Sequence, residues 1–542
     1  MSTRRFVASS DGVRIAVFEQ GSPEAPTVVL VHDHPDTNAV WDPVVAALTD
    51  RFRIVGYDGR GAGESDAPRR ASAYRAQRLA DDFAAVIDAV SPDRAVHVLA
   101  HGWGSVAVWA YLDRAGTTDR VASFTSVAGP SPEHMRRYLA DALRRPLRTR
   151  RFLGGLQQFR RLAVSAPQSL SAKVYRANIV GPTARTEPPV DVPVQLIVGT
   201  ADPYVDARFY DAVSVWVSRL WRRDIGAGHR VPDSHPQLLA RSVVQLVEHL
   251  DGAPPARELL RAQVGRSRPT FGDTLVSVTG AGSGIGRETA LAFAREGAEV
   301  VVSDVDEAGL EETARLLSSA GATVHSYPLD VADAAAVEAF ADRVCERHGV
   351  PDIVVNNAGV GHAGFFLDTP SEEFDRVLDI NFGGVVNGCR SFGRRLVERG
   401  AGGHIVNVAS MASYTPVNVM NAYCTSKAAV YMFSDCLRAE LDAAGVGLTT
   451  ICPGVIGTNI VDTTRFSLPV ARRHDAESVR GRAQKGFALR RYGPDKVAAA
   501  IVDSVKKNKA VRPVTPEAYL VYGVAHALPQ VMRSTARGGN IL

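Results

Sequence analysis

Cysteine is scarce in this chain: Cys345, Cys389, Cys424, Cys436 and Cys452 are the full set, all in the second half. No two stand in a C-x-x-C spacing, which removes the zinc-ribbon and thioredoxin-like readings, and no metal site is expected. Reduced thiols of this kind point to the cytoplasm. Long apolar runs are missing as well. None approaches the ~20 residues needed to span a bilayer, and the opening "MSTRRFVASSDGVRIAVFEQG" has no apolar leader core. A dominant charge is also absent: 62 Lys and Arg stand against 58 Asp and Glu, a formal net charge of +4. That balance gives no case for a nucleic-acid partner. The arginine-rich run 136–161 reads as a solvated helical face rather than an anion site. The apolar "AYLVYGVAHALPQVM" is short, carries Pro529 and reads as a packed helix. Peripheral contact with a lipid surface is its alternative, so the expected location is cytoplasmic with room for membrane association.

What is present is alternation. A length of 542 residues suggests more than one domain. In the first half, "TVVLVH", "FRIVGYD", "VHVLAH" and "VPVQLIVGT" read as short buried strands, and "RLADDFAAVIDAV" repeats its apolar positions at helical spacing. Such alternation argues for a mainly parallel sheet. Past Asp251, "DGAPPARELLRAQVGRSRPTFGD" is rich in Pro, Gly and charge and reads as a linker. A new strand–turn–helix–strand unit follows, sharing no motif with the first half, so the chain reads as a fusion rather than a duplication. The expected division is a first domain over 1–252, a linker over 253–272 and a second domain over 273–542.

In the second half the strand "LVSVTG" runs into "TGAGSGIG" and then a helix, with Gly280, Gly284 and Gly286 in a G-x-x-x-G-x-G spacing. Glycine suits the tight turn and the close approach of a dinucleotide, whose pyrophosphate then meets the free N–H groups of the helix. Asp304 ends the next strand, twenty residues after Gly284, where an acid binds the adenosine ribose hydroxyls. A carboxylate there repels a 2′-phosphate, so NAD is expected over NADP. Arg287 is the one nearby base that argues the other way. Tyr423 and Lys427 stand four apart in a helical stretch and share a face. A free phenol titrates near ~10, and an adjacent ammonium is expected to lower that value. Ser410, thirteen residues before Tyr423, follows a strand where its hydroxyl can hold a reacting oxygen.

From Phe271 onward the chain resembles the short-chain dehydrogenase/reductase family, with "TGAGSGIG", "NNAG", Asn381, Ser410, "YCTSK" and Pro453-Gly454 in that family's order. The resemblance implies a Rossmann-fold doubly wound sheet with Tyr423 as general acid/base and Ser410 orienting the substrate oxygen. Lys427 would hold the nicotinamide ribose and Asn381 would anchor a water of the proton relay. It places Gly280, Ser283, Gly284, Ile285, Gly286, Asp304, Asp330, Val331, Asn357, Ala358, Gly359, Pro453, Gly454 and Thr458 around the cofactor, together with Tyr423 and Lys427. It also implies a homo-oligomer, a dimer or tetramer built through this domain.

The first half resembles the α/β-hydrolase family, epoxide hydrolases and haloalkane dehalogenases in particular. "VHDHPD" is similar to the oxyanion-loop motif H-G-x-P, with His32 in place and Asp33 where the family has glycine. "YDGRGAGESDAP" matches a strand-and-turn motif, Asp202 in "GTADPYV" the triad acid, and His229 in "GAGHRVPDSHP" the triad base. The insertion over about 130–190 is a candidate helical cap, whose Tyr138 and Tyr175 are the nearest tyrosines to serve an epoxide oxygen. In "VHVLAHGWGSVAVW" the elbow is intact in form, but Gly102 stands before Trp103 where the attacking residue belongs. Glycine adopts the sharp turn readily and attacks nothing, so the covalent route is expected to be closed. Three readings remain: a domain that only binds or assembles, direct activation of water by His229 and Asp202, or Asp33 acting instead. The first is preferred, because a catalytic unit that has lost one member loses most of its activity, and against the third a side chain on the oxyanion loop is expected to crowd the pocket.

The function expected from the whole chain is NAD-dependent interconversion of a hydrophobic, lipid-like alcohol and ketone, with a fused epoxide-hydrolase-like domain lacking the covalent mechanism. The rivals are a bifunctional epoxide hydrolase and dehydrogenase working in series, and a hydrolase-like domain kept as a binding or assembly module. Phe466, Leu468 and Phe487, with the arginines around them, suggest a lipid with an acidic head group.

Overall fold

The structure is a computed structural model that describes residues 3–114, 116–131, 173–174, 177–178, 190–457, 460, 464–468, 481 and 492–535. Most of the candidate cap, Tyr138, Tyr175, Thr458 and Phe487 lie outside the described residues. The chain divides into two compact units, Met1–Arg266 and Ser267–Leu542.

The first unit is built on β1 (Thr3–Ala8), β2 (Arg14–Gln20), β3 (Thr27–Val31), β4 (Arg53–Tyr57), β5 (Val96–His101), β6 (Val121–Val127), β7 (Val194–Gly199) and β8 (Leu220–Ile225). Their order across the sheet is β1-β2-β4-β3-β5-β6-β7-β8. Pairing is antiparallel from β1 to β4 and parallel from there to β8. The central strands TVVLV, VHVLAH and VQLIVG are buried along their whole length, as expected of parallel strands covered on both faces. This is the α/β-hydrolase fold.

β5 ends in the elbow. Gly102 takes φ +52° and ψ −120°, a conformation natural only to glycine, and the helix Trp103–Leu112 starts at the next residue. Small residues are obligatory around it. A Cβ on Gly104 would meet the Val31 carbonyl oxygen at 2.4 Å, and one on Gly129 would meet that of Gly102 at 2.3 Å.

Residues 257–262, read above as part of the linker, form a helix instead. Leu259 and Ala262 lie one turn apart and pack on Trp221 and Leu246. Two apolar positions among prolines and charges are too few to announce a helix, so composition concealed it.

The second unit holds β9 (Leu275–Thr279), β10 (Glu299–Asp304), β11 (Val324–Pro328), β12 (Ile353–Asn356), β13 (His362–Gly364), β14 (Gly403–Val408), β15 (Val446–Cys452), β16 (Arg465–Ser467) and β17 (Val511–Pro513). Seven of them form one sheet in the order β11-β10-β9-β12-β14-β15-β17, and β13 pairs with β16 apart from it. All of its pairings are parallel. The chain leaves β9 in one direction and crosses back to β12 in the other, so a crevice opens at the carboxyl ends of these two strands, the place where such sheets bind ligands. This is a Rossmann-like fold.

The apolar C-terminal stretch departs from expectation. The helix Pro516–Ala527 buries Ala518, and Tyr414 donates to the Ala518 carbonyl at 3.3 Å. Leu520, Leu528 and Val531 nevertheless stand exposed. The helix rests on a few aromatic contacts rather than being packed all round. No described helix is long and apolar enough to cross a membrane.

Candidate active sites

In the second unit the glycine turn caps β9. Gly280 has φ +65°, and a Cβ on it would meet Ala358 Cα at 2.6 Å; a Cβ on Gly286 would meet the Gly280 carbonyl oxygen at 2.0 Å. The turn thus lies directly against the Asn357-Ala358-Gly359 segment that follows β12. Thr279 welds the two: its hydroxyl accepts from the Asn357 and Ala358 N–H groups at 3.1 and 3.2 Å, while Asn357 Nδ2 donates to the carbonyls of Thr279 and Gly280, each at 3.0 Å. Thr279 was missed in the sequence, where a hydroxyl at a strand end is common. Ser283 precedes the helix Gly284–Arg295 in extended conformation, and Ile285 packs on the core.

Asp304 accepts from the Gly282 N–H at 2.7 Å and from the Asp306 N–H at 3.0 Å, which fixes its carboxylate at the end of β10 beside the turn. Arg287 turns the other way. It donates to Thr313 Oγ1 at 2.9 Å and to the carbonyls of Gly309 and Gly282. Asp330 holds its own turn through the Ala332 N–H at 2.9 Å, and Asn387 Nδ2 donates to the Val331 carbonyl at 3.0 Å. Pro453 accepts from the Met411 N–H at 2.8 Å, next to Ser410, and a Cβ on Gly454 would strike Thr515 Oγ1 at 2.1 Å.

Tyr423 and Lys427 lie on the helix Asn421–Asp442, Ser410 just past β14, and Asn381 in a π-helical turn, Asp379–Gly383. These elements bring the four together. Lys427 Nζ lies 6.0 Å from the centroid of the Tyr423 ring and donates to the Val408 carbonyl at 2.9 Å. Gly359 faces both Asn381 and Lys427, since a Cβ on it would meet Asn381 Oδ1 at 3.1 Å and Lys427 Nζ at 3.4 Å. Asn381 is fully buried; it accepts from the Val360 N–H at 2.8 Å and donates to the Val360 carbonyl and Ser426 Oγ, each at 3.0 Å. Ser413, also missed, ties the site together by accepting from the Ser410 N–H and donating to the Lys427 carbonyl.

The Lys427 ammonium does not act on the Tyr423 phenol as their spacing suggests. The phenol of Tyr423 is not made more acidic: burial raises it above the ordinary value, and the Ser410 hydroxyl, hydrogen-bonded to it, only partly offsets this. Lys427 does not figure among the groups that move it. Burial also acts on the ammonium and pulls Lys427 down to about 8. Desolvation disfavours both ions and is the largest influence on each.

In the first unit the triad-like residues converge. His229 Nδ1 donates to Asp202 Oδ2 at 2.8 Å, and its Nε2 donates to Asp33 Oδ2 at 3.1 Å. Asp202 Oδ1 also accepts from the N–H groups of Tyr204 and Val205. Asp33 Oδ1 accepts from the Trp103 N–H at 2.7 Å. His32 is neutral and structural: its Nε2 accepts from the Gly59 N–H at 2.9 Å, so Nδ1 donates to the Asp33 carbonyl at 2.6 Å, and burial lowers its pKa. Burial also opposes the charges on the carboxylate–imidazole pair. The hydrogen bond and charge of His229 nevertheless hold Asp33 down at about 2, and the two carboxylates hold His229 up at about 10.

A pH dependence follows. Because the folded value of His229 lies above its ordinary 6.5, the pairing stabilises the first unit fully below pH 6.5 and loses its effect as pH rises through about 10. The melting temperature of the parent should exceed that of His229→Gln at pH 6.5 by at least ~2 °C. That gap should close towards pH 10, as read by circular dichroism.

Two folds and two constellations of residues therefore share one chain. Residues 274–467 match the family described as short chain dehydrogenase, and residues 26–147 match that described as alpha/beta hydrolase fold. The chain belongs to the family in which an α/β-hydrolase domain is joined to a short-chain dehydrogenase domain, and it is an oxidoreductase of the short-chain dehydrogenase type. It is 58% identical over 580 aligned positions, covering 98% of each chain, to a Mycobacterium tuberculosis protein called probable oxidoreductase EphD. A D-threitol dehydrogenase of Mycolicibacterium smegmatis is 39% identical over 183 residues, 34% of this chain and 70% of its own. A crystal structure of a short-chain dehydrogenase/reductase from Burkholderia phymatum in complex with NAD is 30% identical and covers 49% of this chain and 96% of its own, with a TM-score of 0.45. A nicotinamide cofactor, a small-molecule substrate and assembly into oligomers are the general properties of this dehydrogenase family.

Proposed function

We propose that this chain is an NAD-dependent dehydrogenase that interconverts a hydrophobic, lipid-like alcohol and its ketone. The observation that carries the reading is the meeting of Tyr423, Ser410, Lys427 and Asn381 beside a glycine cradle that has no room for side chains. The residues present fit a dinucleotide. The turn Gly280–Gly286 would take the pyrophosphate, Asp304 the adenosine ribose, Asp330 and Val331 the adenine. Asn357, Ala358 and Gly359 would line the floor, with Tyr423 and Lys427 at the second ribose. Pro453 and Gly454 would flank the carboxamide. When bound, the nicotinamide supplies or accepts the hydride. The chain supplies position and the proton: Ser410 holds the substrate oxygen, and the Tyr423 hydroxyl exchanges a proton with it.

Preference for NAD is supported by the orientation of two side chains. Asp304 is pinned at the ribose end of the turn, and Arg287, the one base that argued for a 2′-phosphate, is committed to Thr313 and two loop carbonyls. The parent should use NAD with a kcat/KM at least ~10-fold above NADP, and Asp304→Ala should narrow that ratio. Equal use of both cofactors by the parent would overturn the preference. Assembly as a dimer or tetramer is proposed through the second unit, where the long helices Gly384–Arg399 and Asn421–Asp442 leave Val397 and Met432 exposed. Gly102 supplies no attacking atom of its own, so any covalent chemistry in the first unit has to run through a neighbouring side chain.

A further inference from the structure

In a nucleophile elbow the attacking group hangs from the residue between strand and helix, which is Gly102 here. A Cβ built on Gly102 would meet Asp33 Cγ at 2.1 Å, Oδ1 at 2.3 Å and Oδ2 at 2.5 Å. The Asp33 carboxylate therefore fills the space that a side chain at position 102 would take. It reaches that space from the loop after β3, and the absence of a side chain on Gly102 is what makes room for it. With glycine at the elbow, positions 33 and 102 are complementary, and the Asp33 side chain does not crowd the pocket as expected from its loop.

We propose that Asp33 is the nucleophile of a second, hydrolytic site in this protein, one that opens an epoxide through an ester at Asp33 and releases a diol. Three further observations carry this. Asp33 Oδ1 accepts from the Trp103 N–H at 2.7 Å, at the start of the elbow helix, so that oxygen is held where a carbonyl oxygen gains charge during ester cleavage. Asp33 Oδ2 lies 3.1 Å from His229 Nε2, with Asp202 on the far side of the ring at 2.8 Å, which is the order of nucleophile, base and orienting acid. Asp33 and Asp202 side chains are 9% and 1% exposed, so little water competes for them.

The substrate class follows from the nucleophile. A carboxylate that attacks an acyl carbon makes an anhydride, more reactive than an ester substrate. One that attacks a saturated carbon makes an ordinary ester, which a His–Asp couple can hydrolyse. An epoxide offers such a carbon, activated by ring strain, and keeps its leaving oxygen in the product. In the first step Asp33 Oδ2 forms a bond to the ring carbon, the C–O bond of the ring breaks, and the alkoxide takes a proton from the His229 imidazolium by way of water. Esterification removes the charge of Asp33, so His229 loses one of the two carboxylates that hold its proton and becomes a base. In the second step His229 takes a proton from water, and the hydroxide adds to Asp33 Cγ with charge on Oδ1 facing the Trp103 N–H. Collapse then releases the substrate carbon with the original Oδ2, which takes the proton from the new carboxyl group. Epoxide and water give diol, with Asp33 ionised and His229 protonated as at the start. The diol is itself an alcohol, so a dehydrogenation is the class of reaction that can consume it.

The test uses the full chain in molar excess over a long-chain terminal epoxide, and separately over styrene oxide, in water enriched in heavy oxygen. After one turnover the peptide containing Asp33 should carry one heavy oxygen and the diol none, because the diol takes its second oxygen from the carboxylate. Asp33→Asn should lower diol formation by at least ~10³-fold. Absence of diol from both epoxides, or heavy oxygen in the diol with an unlabelled Asp33 peptide, would overturn the proposal. Asp33, His101 and His229 also offer ligand atoms within 4.8 Å of one another, so diol formation that a chelator abolishes would overturn it as well. Should Asp33→Asn fail to fold, the labelling of the parent chain decides by itself.

Discussion

Replacing Tyr423 by Phe should lower the rate of hydride transfer by ~10²–10⁴-fold, the range for loss of a positioned acid or base, while leaving cofactor affinity within a few-fold. The substitution keeps the ring, 6.0 Å from Lys427 Nζ at its centroid, and removes only the hydroxyl. The structure adds a sign to this prediction. Burial raises the Tyr423 phenol above its ordinary value, so at neutral pH it is a proton donor. Ketone reduction by the parent should therefore run readily at neutral pH, and alcohol oxidation should climb as pH rises. Tyr423→Phe should show neither limb. Steady-state rates in both directions across pH, with fluorescence titration of the cofactor, check both parts. A variant as fast as the parent would remove Tyr423 from the chemistry.

Gly286→Ala should be equally severe by a different route. Its Cβ would lie 2.0 Å from the Gly280 carbonyl oxygen and 2.6 Å from Asn357 Nδ2, and most of what it meets is backbone that cannot rotate away. The helix Gly284–Arg295 would have to move from the turn, and its free N–H groups with it. A misplacement of about 1 Å costs on the order of 10²-fold, so the dissociation constant for NAD should rise at least that much. Calorimetric titration measures it. Gly321→Ala is the control for an added methyl, since nothing lies within 4 Å of its Cβ, although its φ of +78° makes it strained as well.

The two sheets were legible because their central strands are runs such as VHVLAH and EVVVSD, bounded by glycine turns that admit few other readings. Local spacing also gave the Tyr423–Lys427 pair and the Asp304 position. What local spacing does not carry is contact between distant segments. The Arg287 side chain is settled by Gly309 and Thr313, more than twenty residues away. Asp33 meets Trp103 and His229 across 70 and 196 residues, so its fit into the space beside Gly102 was out of reach even though both substitutions were visible. The Tyr423 shift failed for another reason: pair spacing reports an attraction between charges, but burial acts on each ion alone. The helix 257–262 was hidden by the proline and charge around it.

The central claim is that the second unit moves a hydride between a nicotinamide and a hydrophobic alcohol carbon under the control of Tyr423. It is tested most directly by incubating the full chain with NAD and a panel of lipophilic secondary alcohols deuterated at the carbinol carbon, and following deuterium by mass spectrometry. The account predicts that deuterium appears on the reduced nicotinamide in step with ketone formation, and that Tyr423→Phe abolishes this while Asp33→Asn does not. No transfer from any alcohol of the panel, or the same transfer from the Tyr423→Phe chain, would contradict it.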